Sequence, residues 1–365
     1  MGWGKQDMGK LDSVGRAKAL REACCWGDEE AARALVKAGA DALGRAPEEE
    51  TARPAEGAGG AAAKKIEAGD TAMNCAARGG FLEVMRVLMA GLGGEAAQRA
   101  AALGVSGGRL PQTPAMAAAG SPNSAALAVL GWLMELEPRC AASGGGAKGP
   151  AWSAAKAGNA RALAQVAAFA ERAGGREAVV GLFDERDSEG RAPLHWALAS
   201  GSGDASREAI ERSTAEAFDK PDARGRGVWH CAVEGGSWEP FEELLSLSRR
   251  LGAPGWAGSS ALRARDAMGF TALEAAAGGA LSACKGAWAA AREALGPVEL
   301  AEERARAVVA ARRAGRPKVA EWLGARDEPG AEPAPVAHTP MESAREAAKR
   351  MESQAAERGP RRGRG

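Results

Sequence analysis

The chain has no tyrosine, only three histidines and an aromatic content of 4%. Neither charge is in surplus: 48 Lys+Arg face 47 Asp+Glu, a net charge of +1. With no dominant field, a general nucleic-acid or anionic-membrane binder is not expected. No run of eighteen or more strongly apolar residues occurs, so no transmembrane helix is expected either. The opening "MGWGKQDMGK" is charged and lacks the apolar segment of a secretory signal. Gly2 is a poor myristoylation site, because Gln6 stands where Ser or Thr is needed.

The six cysteines (Cys24, Cys25, Cys75, Cys140, Cys231 and Cys284) show no C-x-x-C spacing and no zinc-type pairing with histidine. Reduced thiols in a cytosolic or nuclear protein follow as the expectation, with no metal and no cofactor. Catalytic signatures are also missing. "GGGAKGP" lacks the G-x-x-x-x-G-K-[ST] order of a phosphate cradle, and neither G-x-S-x-G nor H-E-x-x-H is present. Glu48 to Glu50 read as a solvated loop face with no evident partner. A non-catalytic protein is expected.

Present in abundance are alanine and glycine, the latter 50 times, and a repeated unit. "GRAPLHWALASG" from Gly190 has companions in "GRGVWHCAVEGG" from Gly225, "GFTALEAAAGGA" from Gly269 and "GDTAMNCAARGG" from Gly69. Looser copies begin near Gln112 and Gly149, and degenerate ones near Lys18 and Arg306. Aligned on one slot, the units start at Lys18, Thr71, Thr113, Gly149, Ala192, Gly227, Thr271 and Arg306. The intervals run from about 35 residues to just over 50, a period in the low thirties lengthened by insertions. After each Gly comes a second amphipathic run. In "FLEVMRVLMAGL" Phe81, Val84, Met85, Leu88 and Met89 recur at helical spacing, and in "EPFEELLSLSRRLG" Phe241, Leu244, Leu245 and Leu251 do. A lone helix pair cannot bury such stripes, so the pairs must stack as an all-α solenoid.

These units resemble the ankyrin repeat, whose signature is D-x-x-G-x-T-P-L-H-x-A. The best copy runs Asp187, Gly190, Ala192, Pro193, Leu194, His195, Ala197; the next keeps Asp222, Gly225 and His230. The third keeps Asp266, Gly269, Thr271 and Leu273 with Glu274 in the histidine slot, and Thr71 anchors an earlier unit. The resemblance covers about Lys18 to Leu323. It implies that His195 and His230 hydrogen-bond between repeats rather than catalyse, and that Leu194 and Leu273 enter the inter-repeat core. Cys75 and Cys231 share the small apolar slot after the histidine position, which Trp196 fills in its own unit.

The expected organisation is an N-terminal extension (1–17), an array of about seven or eight units (18–326) and a disordered tail (327–365) with a short helix at 340–357. Gly/Ala-rich insertions fall near 44–63, 103–112 and 141–149. The resemblance implies a monomeric protein-interaction module or scaffold that binds a partner protein on its concave face. Mapped onto this chain, the loop tips and concave positions are Ser188, Glu189, Arg191 and Ser200. The next two units add Ala223, Arg224, Arg226 and Glu234, then Ala267, Met268 and Phe270, and Arg78 takes the matching place in the early unit. Arginines on adjacent fingers suit a partner with an acidic surface. Two alternatives stand beside this reading: a substrate-recruiting adaptor of a signalling or ubiquitin-ligase assembly, and an RNA- or membrane-associated factor acting through the basic "RGPRRGRG" end.

Overall fold

The computed structural model describes residues 11–52, 64–105, 112–141, 149–252 and 254–325. The expected tail helix at 340–357 and the Arg/Gly end lie outside these residues. Among the described residues the protein is all-α apart from one short hairpin, and its main helices form eight pairs. The first is α1 (Ser13–Trp26) with α2 (Glu29–Lys37), the second α3 (Ala72–Gly79) with α4 (Leu82–Gly91). After α5 (Glu95–Ala102), an extra helix, come α6 (Pro114–Ala119) with α7 (Ala126–Leu136). The fourth pair is α8 (Pro150–Lys156) with α9 (Ala160–Asp184), the fifth α10 (Pro193–Ala199) with α11 (Gly203–Arg212). A short α12 (Ala215–Asp219) precedes α13 (Val228–Glu234) and α14 (Glu239–Leu251). One turn, α15 (Ser259–Leu262), leads to α16 (Ala272–Ala277) with α17 (Leu281–Ala294), and the last pair is α18 (Pro297–Arg313) with α19 (Pro317–Gly324).

Local chemistry sets the helix starts. Six of the unit origins are N-caps: Thr71, Thr113, Gly149, Ala192, Gly227 and Thr271. The hydroxyls of Thr71, Thr113 and Thr271 accept from the backbone N–H three residues on, at 3.2, 3.2 and 3.3 Å. Each such cap stabilises by about 1 kcal/mol. Pro114, Pro150 and Pro193 sit in the first turn, where a missing N–H costs nothing. These first helices are too short to persist alone. They hold because the first helices form one layer, each packed on the next, and the second helices form another. α6, Pro114–Ala119, is buried along its whole length between neighbours on both sides, which suits its sequence "PAMAAA", mostly alanine with one buried methionine, Met116.

The second helices bury the expected stripes, with Val84, Met85, Leu88 and Met89 inside on α4, and Phe241, Leu244 and Leu245 on α14. Leu251 is a correction. It is 59% exposed: in the last turn, which ends at Gly252 in the left-handed conformation, Ser248 faces inward and Arg249 reaches Glu293 of α17, while Leu251 faces solvent. The helix α9 is broken at Gly174 and Gly175, and its remainder leads back toward the next unit.

Both ends of the array depart from the expected register. α1 begins at Ser13 under an Asp12 cap rather than at Lys18. α18 begins at Pro297, well before Arg306, because Gly296–Pro297 with Glu299 forms its own helix start; the Glu299 carboxylate accepts the Gly296 N–H at 3.3 Å. α17 therefore runs into α18 through Leu295 and Gly296 alone.

The first insertion is only partly a surface loop. β1 (Glu50–Ala52) and β2 (Lys64–Ile66) pair antiparallel, with Glu50 opposite Ile66. Glu50 is buried, not solvated: its carboxylate accepts from Arg21 Nε at 2.9 Å and Nη2 at 2.7 Å, and Arg21 itself is 2% exposed. The hairpin covers α1 and brings the counter-ion that a buried guanidinium requires. No described helix is long and apolar enough to cross a membrane.

Candidate protein-interaction surface

Before α10, α13 and α16 the chain makes the same finger three times. Asp187 Oδ1 accepts the backbone N–H of Glu189 and Arg191 at 2.9 and 3.0 Å. Asp222 does the same for Arg224 and Arg226, and Asp266 for Met268 and Phe270. Each turn closes with the glycine N–H on the aspartate carbonyl at 2.9 Å, and Gly190, Gly225 and Gly269 take φ of 74, 72 and 83°. That left-handed conformation is costly for any residue with a Cβ. Neighbouring fingers are tied edge to edge: the Ala223 N–H donates to the Glu189 carbonyl, and the Ala267 N–H to the Arg224 carbonyl, both at 2.8 Å.

The histidine slot behaves as the resemblance implies. His195 Nδ1 accepts from the Ala192 N–H at 3.3 Å, while Nε2 donates to the Lys220 carbonyl of the next unit at 3.3 Å. His230 Nε2 donates to the Phe270 carbonyl at 3.1 Å. Other residues make the same joint elsewhere. Asn74 Nδ2 donates to the Gln112 carbonyl, and Trp152 Nε1 donates to Asp187 Oδ2 at 3.0 Å. Asp187 Oδ2 also accepts from Trp196 Nε1 at 2.9 Å, and the two indoles meet edge to face with centroids 5.3 Å apart. Burial raises the Asp187 pKa, but these donors and the backbone N–H groups outweigh it and hold the carboxyl below its ordinary range. The sequence shows no sign of this knot beyond the two tryptophans themselves, because Trp152 stands in the histidine slot and Trp196 one position after it in the next unit. Leu194 and Leu273 are buried as expected.

Five of the expected contact residues are otherwise engaged. Arg191 is 2% exposed. Its Nε donates to Asp222 Oδ2 at 3.0 Å, its Nη2 to Glu234 Oε1 at 2.8 Å, and its guanidinium lies 4.5 Å from the Trp196 ring centre. Arg226 pairs with the same two carboxylates, at 2.9 Å from Nε to Asp222 Oδ2, so Glu234 is also committed. Burial opposes charge on Arg191, but Glu234 and Asp222 hold its pKa above the usual value. Asp222 is pushed down to about 2 by Arg226 and Arg191 against its own burial. Arg78 is clamped bidentately by Asp70 at 2.9 and 3.1 Å, and the Ser200 hydroxyl donates to the Ala197 carbonyl. The partner carboxylates lie in the following unit or eight residues along the same chain, which is why the arginines looked free in sequence.

The remaining tip positions, Ser188, Glu189, Ala223, Arg224, Ala267, Met268 and Phe270, are exposed. Met268 is 78% and Phe270 41% exposed. Beside Phe270, between the third finger, α16 and α18, lies a groove of about 1010 Å³ whose walls include Arg265, Arg306, Val309 and Arg313. All six cysteines are free and buried. Burial pushes the thiols of Cys140, Cys231 and Cys284 up to about 12.

Fingers, short inner helices and longer outer helices together define an ankyrin-like solenoid of stacked helix-turn-helix units. No family model matches the chain, and no curated protein matches it. Among solved structures it is similar to the human ASB11 ankyrin repeat domain, at 17% identity with a TM-score of 0.47, over 76% of this chain and 98% of that one.

Proposed function

We propose that this chain is a non-catalytic binding module that grips a partner protein with its row of fingers. One observation carries the reading: three consecutive fingers share one internally hydrogen-bonded backbone, and their tip side chains are exposed, with no hydrogen bond or ion pair among the described residues. The side chains of Ser188, Glu189 and Arg224 are exposed and make no hydrogen bond or ion pair among the described residues, and Met268 presents apolar surface to water. A locked backbone with unspent side chains lowers the ordering cost of association. Exposed apolar side chains at such a rim are typical anchors for a partner.

The central fingers suit a mixed rather than an acidic partner surface, since Arg191 and Arg226 are neutralised by Asp222 and Glu234. Charge reversal at those two arginines would break the fold instead of testing binding. The informative comparison is affinity capture by wild type against the double variant Glu189→Lys, Arg224→Glu, with melting curves matched. Specific partners are expected to be lost from the variant. Retention of every one of them by a variant that melts like wild type would remove the fingers from the binding surface.

A further inference from the structure

The fingers form an edge-to-edge row, and that row stops at the third. Each earlier finger has the carbonyl two residues after its aspartate occupied by the next finger: Glu189 by Ala223, and Arg224 by Ala267. The equivalent carbonyl on the last finger belongs to Met268, and no described residue donates to it. The cause is in the sequence. Leu295 and Gly296 leave no room for a finger between α17 and α18, and the extra turns of α18 stand where one would rise.

The groove beside that open edge is amphipathic. Phe270 and Val309 contribute exposed apolar surface, at 41% and 45%, over a floor of Ala275, Gly278 and Ala310. Its charged walls are three arginines, Arg265, Arg306 and Arg313, against one carboxylate, Glu274. Glu274 holds Arg265 at 3.0 Å and Arg306 at 3.2 Å. Arg313 is exposed and has no ion-pair partner among the described residues. Arg306 is further neutralised by Glu302 and Glu303, so the groove's uncompensated positive charge among the described residues is that of Arg313.

We infer that this groove binds an extended acidic–apolar peptide segment of another protein, which adds itself to the open edge of the last finger as the missing next finger. The peptide backbone donates to the Met268 carbonyl, its apolar side chains cover Phe270 and Val309, and one of its carboxylates meets Arg313. Strand addition supplies affinity through main-chain hydrogen bonds, and alternate side chains supply selectivity. Opposite charge discriminates against basic and neutral segments. The inference deepens the binding reading above by naming a partner class at the C-terminal end of the same row.

The test uses fluorescence anisotropy with the full chain and three labelled eight-residue peptides of alternating Glu/Leu, Gln/Leu and Lys/Leu. The Glu/Leu peptide is expected to bind at least about tenfold tighter than the other two. N-methylation of alternate amides should abolish its binding in one of the two registers. Val309→Asp and Arg313→Glu, both at exposed positions, should each weaken it about tenfold with unchanged melting. Equal binding of all three peptides, indifference to N-methylation in both registers, or full affinity in both variants overturns the inference. So does self-association of the chain that the same two substitutions abolish, which assigns the groove to a second copy. Loss of captured partners in the Glu189/Arg224 variant while these peptides fail to bind overturns this inference alone and leaves the finger reading standing.

Discussion

His195 donates through Nε2 to the carbonyl of Lys220, 25 residues ahead in the next unit, while its other ring nitrogen closes the start of its own helix. One neutral imidazole thus joins two repeats, and protonation would put a hydrogen on the nitrogen that must accept. Burial, helped by the nearby Arg186 guanidinium, lowers its pKa from 6.5 to about 4.

That geometry predicts acid lability. Between pH 6.5 and 4 the unfolded chain binds a proton at this position that the folded chain does not, so stability falls as pH falls through the window. The loss is about 3 kcal/mol from His195. His230, lowered mainly by burial, acts in the same direction. Denaturant melts from pH 7 to 4 should show the decline, and His195→Gln should flatten it; an unchanged slope in that variant would assign the lability to other groups.

Leu194 is fully buried between repeats. Leu194→Ala should cost about 2–4 kcal/mol, as lost transfer energy plus a cavity. His195→Ala should cost less, roughly 1–2 kcal/mol, by leaving the Lys220 carbonyl and Ala192 N–H short of a partner. Urea midpoints at pH 7.5 check the order; a smaller loss for Leu194→Ala would mean that the site collapses around the gap.

Asp222 is the shared counter-ion of Arg191 and Arg226. Asp222→Ala leaves two guanidinium groups to share Glu234 and removes the acceptor of two finger N–H groups, and should destabilise by about 3–5 kcal/mol. Arg224→Ala, two residues away but exposed, should stay within about 0.5 kcal/mol of wild type. Comparable losses in the two would contradict the separation of inward from outward arginines.

Arg21 and Glu50 form the second buried pair, and here one partner comes from the hairpin. Glu50→Ala should cost about 3–5 kcal/mol. Hydrogen exchange should then rise across α1 and β2 first. Protection that stays at wild-type levels there would show that the hairpin does not hold the first repeat.

With six cysteines buried and none bridged, a thiol reagent should modify the native chain far more slowly than the denatured one. Full titration of six thiols in denaturant and prompt native labelling of any would mark a repeat that opens locally.

The repeat origins were legible because local chemistry writes them: a capping residue, a proline in the first turn and a glycine after the short helix recur in phase. The burial of Leu194 and the joints of His195 and His230 are what the resemblance to the ankyrin repeat implies once that register is set. Arg191 was misjudged because its partners Asp222 and Glu234 belong to the next unit, a pairing that no local spacing reveals. Glu50 was misread for the same reason, since Arg21 lies 29 residues earlier. The terminal unit was misplaced because the unit pattern hid a second helix start at Gly296–Pro297, whose Glu299 marks it only once the cap geometry is known.

The two-residue junction of Leu295 and Gly296 also sets where this protein can grow. The three finger-bearing units are joined by the same finger bond and the same helix stacking, so a duplicated copy of the segment from Asp187 to Pro221 finds matching surfaces on both sides. A unit placed behind α18 would meet a helix face but no finger edge, because the finger it would bond to is absent there. Lengthening that preserves the finger row, by gene duplication or by design, is therefore an internal event in this chain.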